Sequence, residues 1–256
     1  MALKTEQING VLKITLNRPD VLNSINRETA FALQAALDQA ASDKTIRAVY
    51  LTGEGRGFCA GQDLAEATHP SAKIEVFVRE HYNPIILKIR ALEKPVIAAV
   101  NGVAAGAGAN LAFCCDIVFA ARSATFIQSF VNIGLIPDSG GTFFLPRIIG
   151  IQKATALMFT GEKVPSEEAE RLGLIYKVSD DDKLEEEAFK LAAKLAQMPT
   201  AGIGYTKRLL NASFTNNLSQ QLDMEEQMQL LAGNTADNAE GIRAFLEKRK
   251  PVFKGE

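Results

Sequence analysis

The first half of the chain alternates short apolar runs with amphipathic ones. Ile8, Val11, Ile14 and Leu16 lie in strand-like stretches around Asn9-Gly10, a pair that favours a tight hairpin turn. A helix is predicted from Arg27 to Ser42, with Phe31, Leu33, Ala36, Leu37 and Ala40 as its apolar face. Ile46–Leu51, Pro95–Val100 and Asp116–Ala120 read as strands; Pro95–Val100 has the unbroken apolar character of a strand buried on both faces. Ile74–Leu92 reads as a helix with apolar Val76, Phe77, Ile85, Ile86 and Ile89, and Pro84 predicts a kink or break within it. Ala105–Phe113 reads as a helix of small residues.

Beyond about Gly140 the pattern turns mainly helical. Helices are predicted over Gly141–Ile148, Ile151–Phe159, Ser166–Leu172, Lys183–Ala196, Thr200–Ala212, Leu218–Gly233 and Thr235–Lys248, with one more strand at Leu174–Val178. The expected organisation is an α/β core over residues 1–199 and a helical region over 200–256. Leu218, Leu222, Met224, Met228 and Leu231 give that region more apolar surface than a thin layer of helices buries alone, which points to self-association.

Composition narrows the function classes. The 256 residues carry 28 Lys and Arg against 30 Asp and Glu, so no basic excess marks a nucleic-acid partner. No apolar run approaches the roughly 20 residues of a membrane helix, and Met1–Glu6 does not read as a secretory signal, so the cytoplasm is the expected location. Cys59, Cys114 and Cys115 are odd in number with two adjacent, which argues against a disulfide framework and for small buried residues. Without paired ligand motifs no metal site is expected. His69 and His81 are expected to be partly exposed helix or loop residues.

Two glycine-rich segments follow predicted strands, Gly53–Leu64 and Asn101–Asn110. Gly55, Gly57 and Ala60 fit a loose G-x-G-x-x-A pattern, so a dinucleotide-binding oxidoreductase is one reading, although the match precedes the helix it should open. A second reading gives each turn a free backbone N–H and aims both at one oxygen, an oxyanion hole. A third lets the glycines serve only close packing. Asp63 is expected to cap the helix after the first segment, and Asp116 to make a structural hydrogen bond.

Phe58-Cys-Ala-Gly-Gln-Asp-Leu64, Lys94-Pro-Val-Ile-Ala-Ala-Val-Asn-Gly102 and Gly134-Leu-Ile-Pro-Asp-Ser-Gly-Gly-Thr142 resemble the signature blocks of the crotonase (enoyl-CoA hydratase/isomerase) superfamily. Asn17-Arg-Pro19 and Phe245–Phe253 fit as well, so the resemblance runs from about residue 5 to the end. It implies a crotonase-like spiral of ββα units with a helical C-terminal region that forms homotrimers or hexamers. It implies an acyl-CoA substrate and no separate cofactor, coenzyme A being part of the substrate. The oxyanion hole would be the backbone N–H groups of Gln62 and Ala107. Leu22 and Ala60 would touch coenzyme A, and Phe245 and Lys248 would approach its adenine end, from a neighbouring subunit. Phe77, Tyr82, Ile86 and Phe130 are candidates for the acyl pocket, with core packing the alternative for each.

Hydratases of this superfamily use two glutamates. The corresponding positions here are Asn110 and Phe130, and neither side chain takes a proton from water. Instead a carboxylate stands at Asp138. This departure resembles the 1,2-epoxyphenylacetyl-CoA isomerase family, as do Gly102–Ala109 and Glu80-His-Tyr-Asn-Pro84. That family converts a ring epoxide to an oxepin-CoA and can shift an enoyl-CoA double bond between the 3,4 and 2,3 positions. The resemblance makes Asp138 the acid/base of an acyl-CoA isomerase, with Leu135, Ile136 and Phe130 expected to desolvate it. An enoyl-CoA hydratase and a non-catalytic CoA-binding protein remain alternatives, and capping of the helix near Ser139 is the structural reading of Asp138.

Overall fold

A computed structural model describes all residues, Met1–Glu256. The hairpin predicted at Asn9-Gly10 is present: both residues have positive φ, 50° and 81°, and join β1 (Leu3–Ile8) to β2 (Val11–Leu16) in antiparallel register. The helix Arg27–Ser42 begins where Asn26 accepts a hydrogen bond from the Thr29 N–H at 2.9 Å. Leu33, Ala36, Leu37 and Ala40 are buried as predicted, whereas Phe31 is 39% exposed, flanking the face beneath the Arg27 guanidinium.

β3 (Ala48–Gly53), β5 (Val96–Val100), β7 (Ile117–Ala121) and β10 (Lys177–Ser179) extend β2 as parallel neighbours, completing a six-stranded sheet. All five residues of β5 are buried, because the helix Leu184–Leu195 packs across β3, β5 and β7 and the body of the fold covers the other face.

The pattern did not predict the second sheet. β4 (Gly57–Cys59), β6 (Val103–Ala105), β8 (Thr125–Ile127) and β9 (Lys163–Pro165) form it in that order, the first three parallel. Each strand has three residues, too short for an alternation to register, and two lie inside the glycine-rich segments. The chain therefore passes repeatedly from the large sheet to the small one: β3 to β4, β5 to β6 and β7 to β8. This is the expected crotonase-like spiral of ββα units.

The predicted helix at Ile74–Leu92 is interrupted as Pro84 requires, but by a change of winding. A π-helical turn, Phe77–Tyr82, leads into the helix Asn83–Ala91, and the Asn83 N–H reaches back to the Val78 carbonyl. The Glu80 carbonyl, which a proline nitrogen cannot serve, accepts from the Gln34 side chain at 2.7 Å. His81 lies in this turn and is buried, not partly exposed. Its ring packs against Phe31 and Phe77, and neither ring nitrogen has a hydrogen-bond partner.

The C-terminal helices, Thr200–Ala212, Leu218–Gly233 and Ala236–Leu246, are tied to the sheets through polar anchors. Lys207 is buried and donates to the Asp116 carboxylate at 2.7 Å; Asp116 also takes Arg90 at 3.0 Å and the Val96 N–H at 2.9 Å. Leu218, Leu222 and Leu231 are exposed, but Met228 is buried and Met224 half-buried, because the Leu218–Gly233 helix packs on Thr200–Ala212. No helix is long and apolar enough to cross a membrane.

Burial lowers the Lys207 pKa, and Asp116 opposes that shift. Asp116→Ala leaves this ammonium buried without its counter-charge, so the variant is expected to lose about 3–5 kcal/mol of stability. Denaturant unfolding measures the loss, and an unchanged midpoint contradicts the role.

Candidate active site

The two glycine-rich segments meet because β4 and β6 pair, Gly57 opposite Val103 and Cys59 opposite Ala104. The approach leaves no room for side chains. A Cβ on Gly108 would stand 2.1 Å from the Cys59 carbonyl oxygen. Gly61 has φ +89°, and a Cβ there would lie 2.9 Å from the Ala105 oxygen and 3.4 Å from the Ala107 nitrogen. Gly61 precedes Gln62, so the backbones carrying the two expected N–H donors abut. Neither the Gln62 nor the Ala107 N–H has an acceptor within the fold. Ala107 is 3% exposed and opens the helix Ala107–Phe113, which accounts for its free N–H. Two uncommitted donors side by side can stabilise negative charge on one oxygen.

The Gln62 side chain is held from both ends. Tyr82 donates its hydroxyl to Gln62 Oε1 at 3.0 Å, and Gln62 Nε2 donates to Glu66 at 3.0 Å. Burial, with Cys59 and the carboxylates of Asp138, Glu66 and Asp63 nearby, raises the Tyr82 pKa and keeps the phenol protonated as this donor. Burial pushes the Cys59 thiol up to about 12, which removes it as a nucleophile.

The three carboxylates near Tyr82 differ in their partners. Asp63 caps the helix Leu64–Ala67 through the Ala65 N–H at 2.9 Å, as predicted, and pairs with Arg18 at 2.7 Å. Burial opposes ionisation of Asp63, but Arg18 and the Ala65 N–H outweigh it and hold the carboxyl below its ordinary value. Glu66 accepts from Gln62 and from the Arg27 N–H at 3.0 Å. Asp138 faces no cation; the Ser139 hydroxyl at 2.9 Å is the hydrogen-bond donor to its carboxylate. Burial raises its pKa and the Ser139 bond opposes the shift. Leu135 and Ile136 do not supply that burial, being 43% and 80% exposed. Phe130 is buried on Gly106, and Ile86 borders Gly140. Nor does Asp138 cap a helix: the helix Gly141–Ile149 starts after Gly140, without a side-chain cap.

The other predicted positions fall into three groups. Leu22 and Ala60 are joined by a bond from the Ala60 N–H to the Leu22 carbonyl at 2.9 Å, beside the β4–β6 pair. Tyr82, Ile86 and Phe130 are buried, and Phe77 is half-buried against His81. Phe245, 83% exposed, and Lys248 lie at the far end of the chain, where the helix Ala236–Leu246 packs on its helical neighbour; no side-chain hydrogen bond joins them to the loops. A groove of about 510 Å³ lies between the helices Thr200–Ala212 and Leu218–Gly233 and includes none of these residues.

Sequence reasoning treated Asn110 only as a missing carboxylate. In the fold Asn110 is fully buried; its Nδ2 donates to the Asp138 carbonyl at 2.8 Å, and its Oδ1 accepts from Gln128 Nε2 at 2.9 Å. A lone amide inside the apolar run Gly108–Cys115 was the available signal, since a buried amide must find partners.

This fold is that of a known family. The enoyl-CoA hydratase/isomerase family profile matches residues 6–256. The chain is 49% identical over 251 residues to 1,2-epoxyphenylacetyl-CoA isomerase of Escherichia coli, covering 96% of both proteins. It is 44% identical over 253 residues to a Rhodobacter capsulatus protein named a probable enoyl-CoA hydratase, covering 99% of this chain and 98% of that one. The crystal structure of an enoyl-CoA hydratase from Bacillus anthracis superposes with a TM-score of 0.94 at 35% identity, covering 100% of each chain. The chain belongs to the enoyl-CoA hydratase/isomerase family and is an enzyme of the crotonase superfamily.

Gly108→Ala places a methyl group against the Cys59 carbonyl and forces the two loops apart. The variant is expected to lose about 1–3 kcal/mol or more of stability, the usual range for overpacking. A thermal melt and a thioester-binding titration check this, and wild-type values for both contradict it.

Proposed function

We propose that the protein is an acyl-CoA isomerase in which Asp138 moves the proton and the Gln62 and Ala107 N–H groups hold the thioester oxygen. The observation that carries this reading is that, of the three carboxylates around Tyr82, Asp138 alone has no cation and no amide donor from another residue on its oxygens. For a 3-enoyl-CoA, the Asp138 carboxylate takes a proton from C2. The C–H electron pair passes into a dienolate whose oxygen receives the two N–H bonds. The protonated Asp138 returns the proton to C4, the double bond comes to rest between C2 and C3, and the carboxylate is restored. One partly buried carboxylate serves as base and then acid, and burial strengthens it in the first role.

The substrates this reading favours are 3-enoyl-CoA thioesters and the aryl epoxide thioester of the 49%-identical Escherichia coli relative. The hydratase reading draws on the 44%-identical relative but lacks a second uncommitted carboxylate to activate water: Asp63 is paired with Arg18, Glu66 is held by Gln62 and the Arg27 N–H, Asn110 is committed to backbone and amide partners, and Phe130 has no ionisable group. A non-catalytic CoA-binding role leaves the unpaired Asp138 without a use. Leu22 and Ala60 suit contact with coenzyme A beside the loops, while Phe245 and Lys248 require a neighbouring subunit. Self-association through the helical region of residues 200–256 belongs to this proposal. Light scattering is then expected to give a multiple of the 27.7 kDa chain mass, and a monomer removes that part.

Asp138→Asn keeps shape and the Ser139 contact but accepts no proton. Isomerisation is expected to fall at least about 100-fold with thioester binding little changed. Burial raises the folded-state pKa, so the folded chain binds this proton more tightly than the unfolded chain. Stability is therefore lost as pH rises through the interval between the ordinary and raised values. Removing the ionisation leaves the melting temperature at neutral pH equal to or above wild type. The acid limb of wild-type activity is expected above the ordinary aspartate value of about 3.9. Wild-type turnover in the folded variant overturns the mechanism.

A further inference from the structure

We infer that Asn110 and Gln128 are positioning residues that fix the Asp138 turn relative to the Ala107 N–H. The inference rests on the proposed roles of Asp138 and Ala107 and concerns what sets the distance between them.

Asn110 stands three residues after Ala107 in the seven-residue helix Ala107–Phe113. Its Nδ2 donates to the main-chain carbonyl of Asp138 at 2.8 Å. One side chain thus joins the helix that presents a donor for the thioester oxygen to the residue that presents the carboxylate. That carbonyl also accepts the Gly141 N–H at 2.9 Å, closing a turn in which Ser139 and Gly140 have φ of 51° and 76°. The site is shaped for the amide: a Cβ on Gly141 would stand 2.4 Å from Asn110 Nδ2.

The direction of the chain of amides is forced. The Asp138 carbonyl can only accept, so Asn110 turns its nitrogen to it and its oxygen away. That oxygen demands a donor in turn, and Gln128 Nε2 supplies it at 2.9 Å. Gln128 Oε1 is then left buried with no partner, on a side chain 4% exposed. An unsatisfied buried acceptor is a net cost, and apolar side chains of similar shape would fill the space without it. A pair placed only for stability has no reason to keep that orphan. A pair that orients a backbone turn needs the amides, because only a directional bond fixes where the turn sits.

The test uses purified full-length protein and a 3-enoyl-CoA substrate. Asn110→Ala is expected to lower kcat at least about 10-fold while KM and thioester affinity stay within about twofold, since displacement of a reacting group by about 1 Å costs up to about 100-fold. In an Asp138→Asn background the same substitution is expected to cause no further loss, because the effect acts through Asp138. Gln128→Met, which keeps the volume and leaves Asn110 in place, is expected to lower kcat to a smaller degree with KM unchanged, and it decides the matter if Asn110→Ala does not fold. An unchanged kcat in the folded variants, an effect confined to KM, or an equal loss in the Asp138→Asn background each overturns the inference. Failure of the mechanism itself shows separately, as full activity of Asp138→Asn alone.

Discussion

Parallel pairing of β4 with β6 is the constraint on which the site depends. The pairing draws together two loops that lie about 45 residues apart in the chain, Gly57 opposite Val103. Backbone meets backbone there, with Gly108 against the Cys59 carbonyl and Gly61 against Ala105 and Ala107. Such contact is open only to residues without a Cβ. It is also why two N–H groups end without partners. Gln62 lies beyond the end of β4, in an isolated bridge to Ile25, and Ala107 begins a helix, so no carbonyl stands opposite either N–H. The reading of the glycines as packing devices and the reading as makers of a donor pair thus describe one arrangement.

Around this pair the side chains divide the work by charge. Arg18 takes Asp63 and the Gln62 amide takes Glu66, which leaves Asp138 as the carboxylate without such a partner. Tyr82, delivered by the π-helical turn ahead of Pro84, holds Gln62 through its hydroxyl. An insertion of this kind shifts the phase of a helix, so the residues after it face a different direction from those before it. Here Pro84 and the Gln34 side chain stabilise the shift, one by withholding an N–H and the other by donating to the Glu80 carbonyl.

Distance from the loops does not make the outer elements incidental. Asp116 binds Arg90, Lys207 and the start of β5 together, so the helix Thr200–Ala212 is anchored to the strand that leads into β6. Arg47 does the same for the chain end, reaching the Thr200 hydroxyl, the Met198 carbonyl and the Phe253 carbonyl. These bonds tie the large sheet to the helical region.

The sequence by itself determined the elements whose physics is local. Asn9-Gly10 forces a hairpin turn, Asn26 starts the helix Arg27–Ser42, and the apolar run before Asn101 makes a buried strand. Signature blocks in order and spacing carried the family, and the exchange of glutamates for Asp138 carried the expected chemistry. Only the tertiary structure decided the small sheet, because three-residue strands earn their hydrogen bonds from partners far along the chain. The exposure of Leu135 and Ile136, the burial of His81 and the tie from Asn110 to the Asp138 carbonyl belong with it. Each depends on which way a side chain faces in a turn whose neighbours lie elsewhere in the sequence, and no pattern of polar and apolar positions carries that direction.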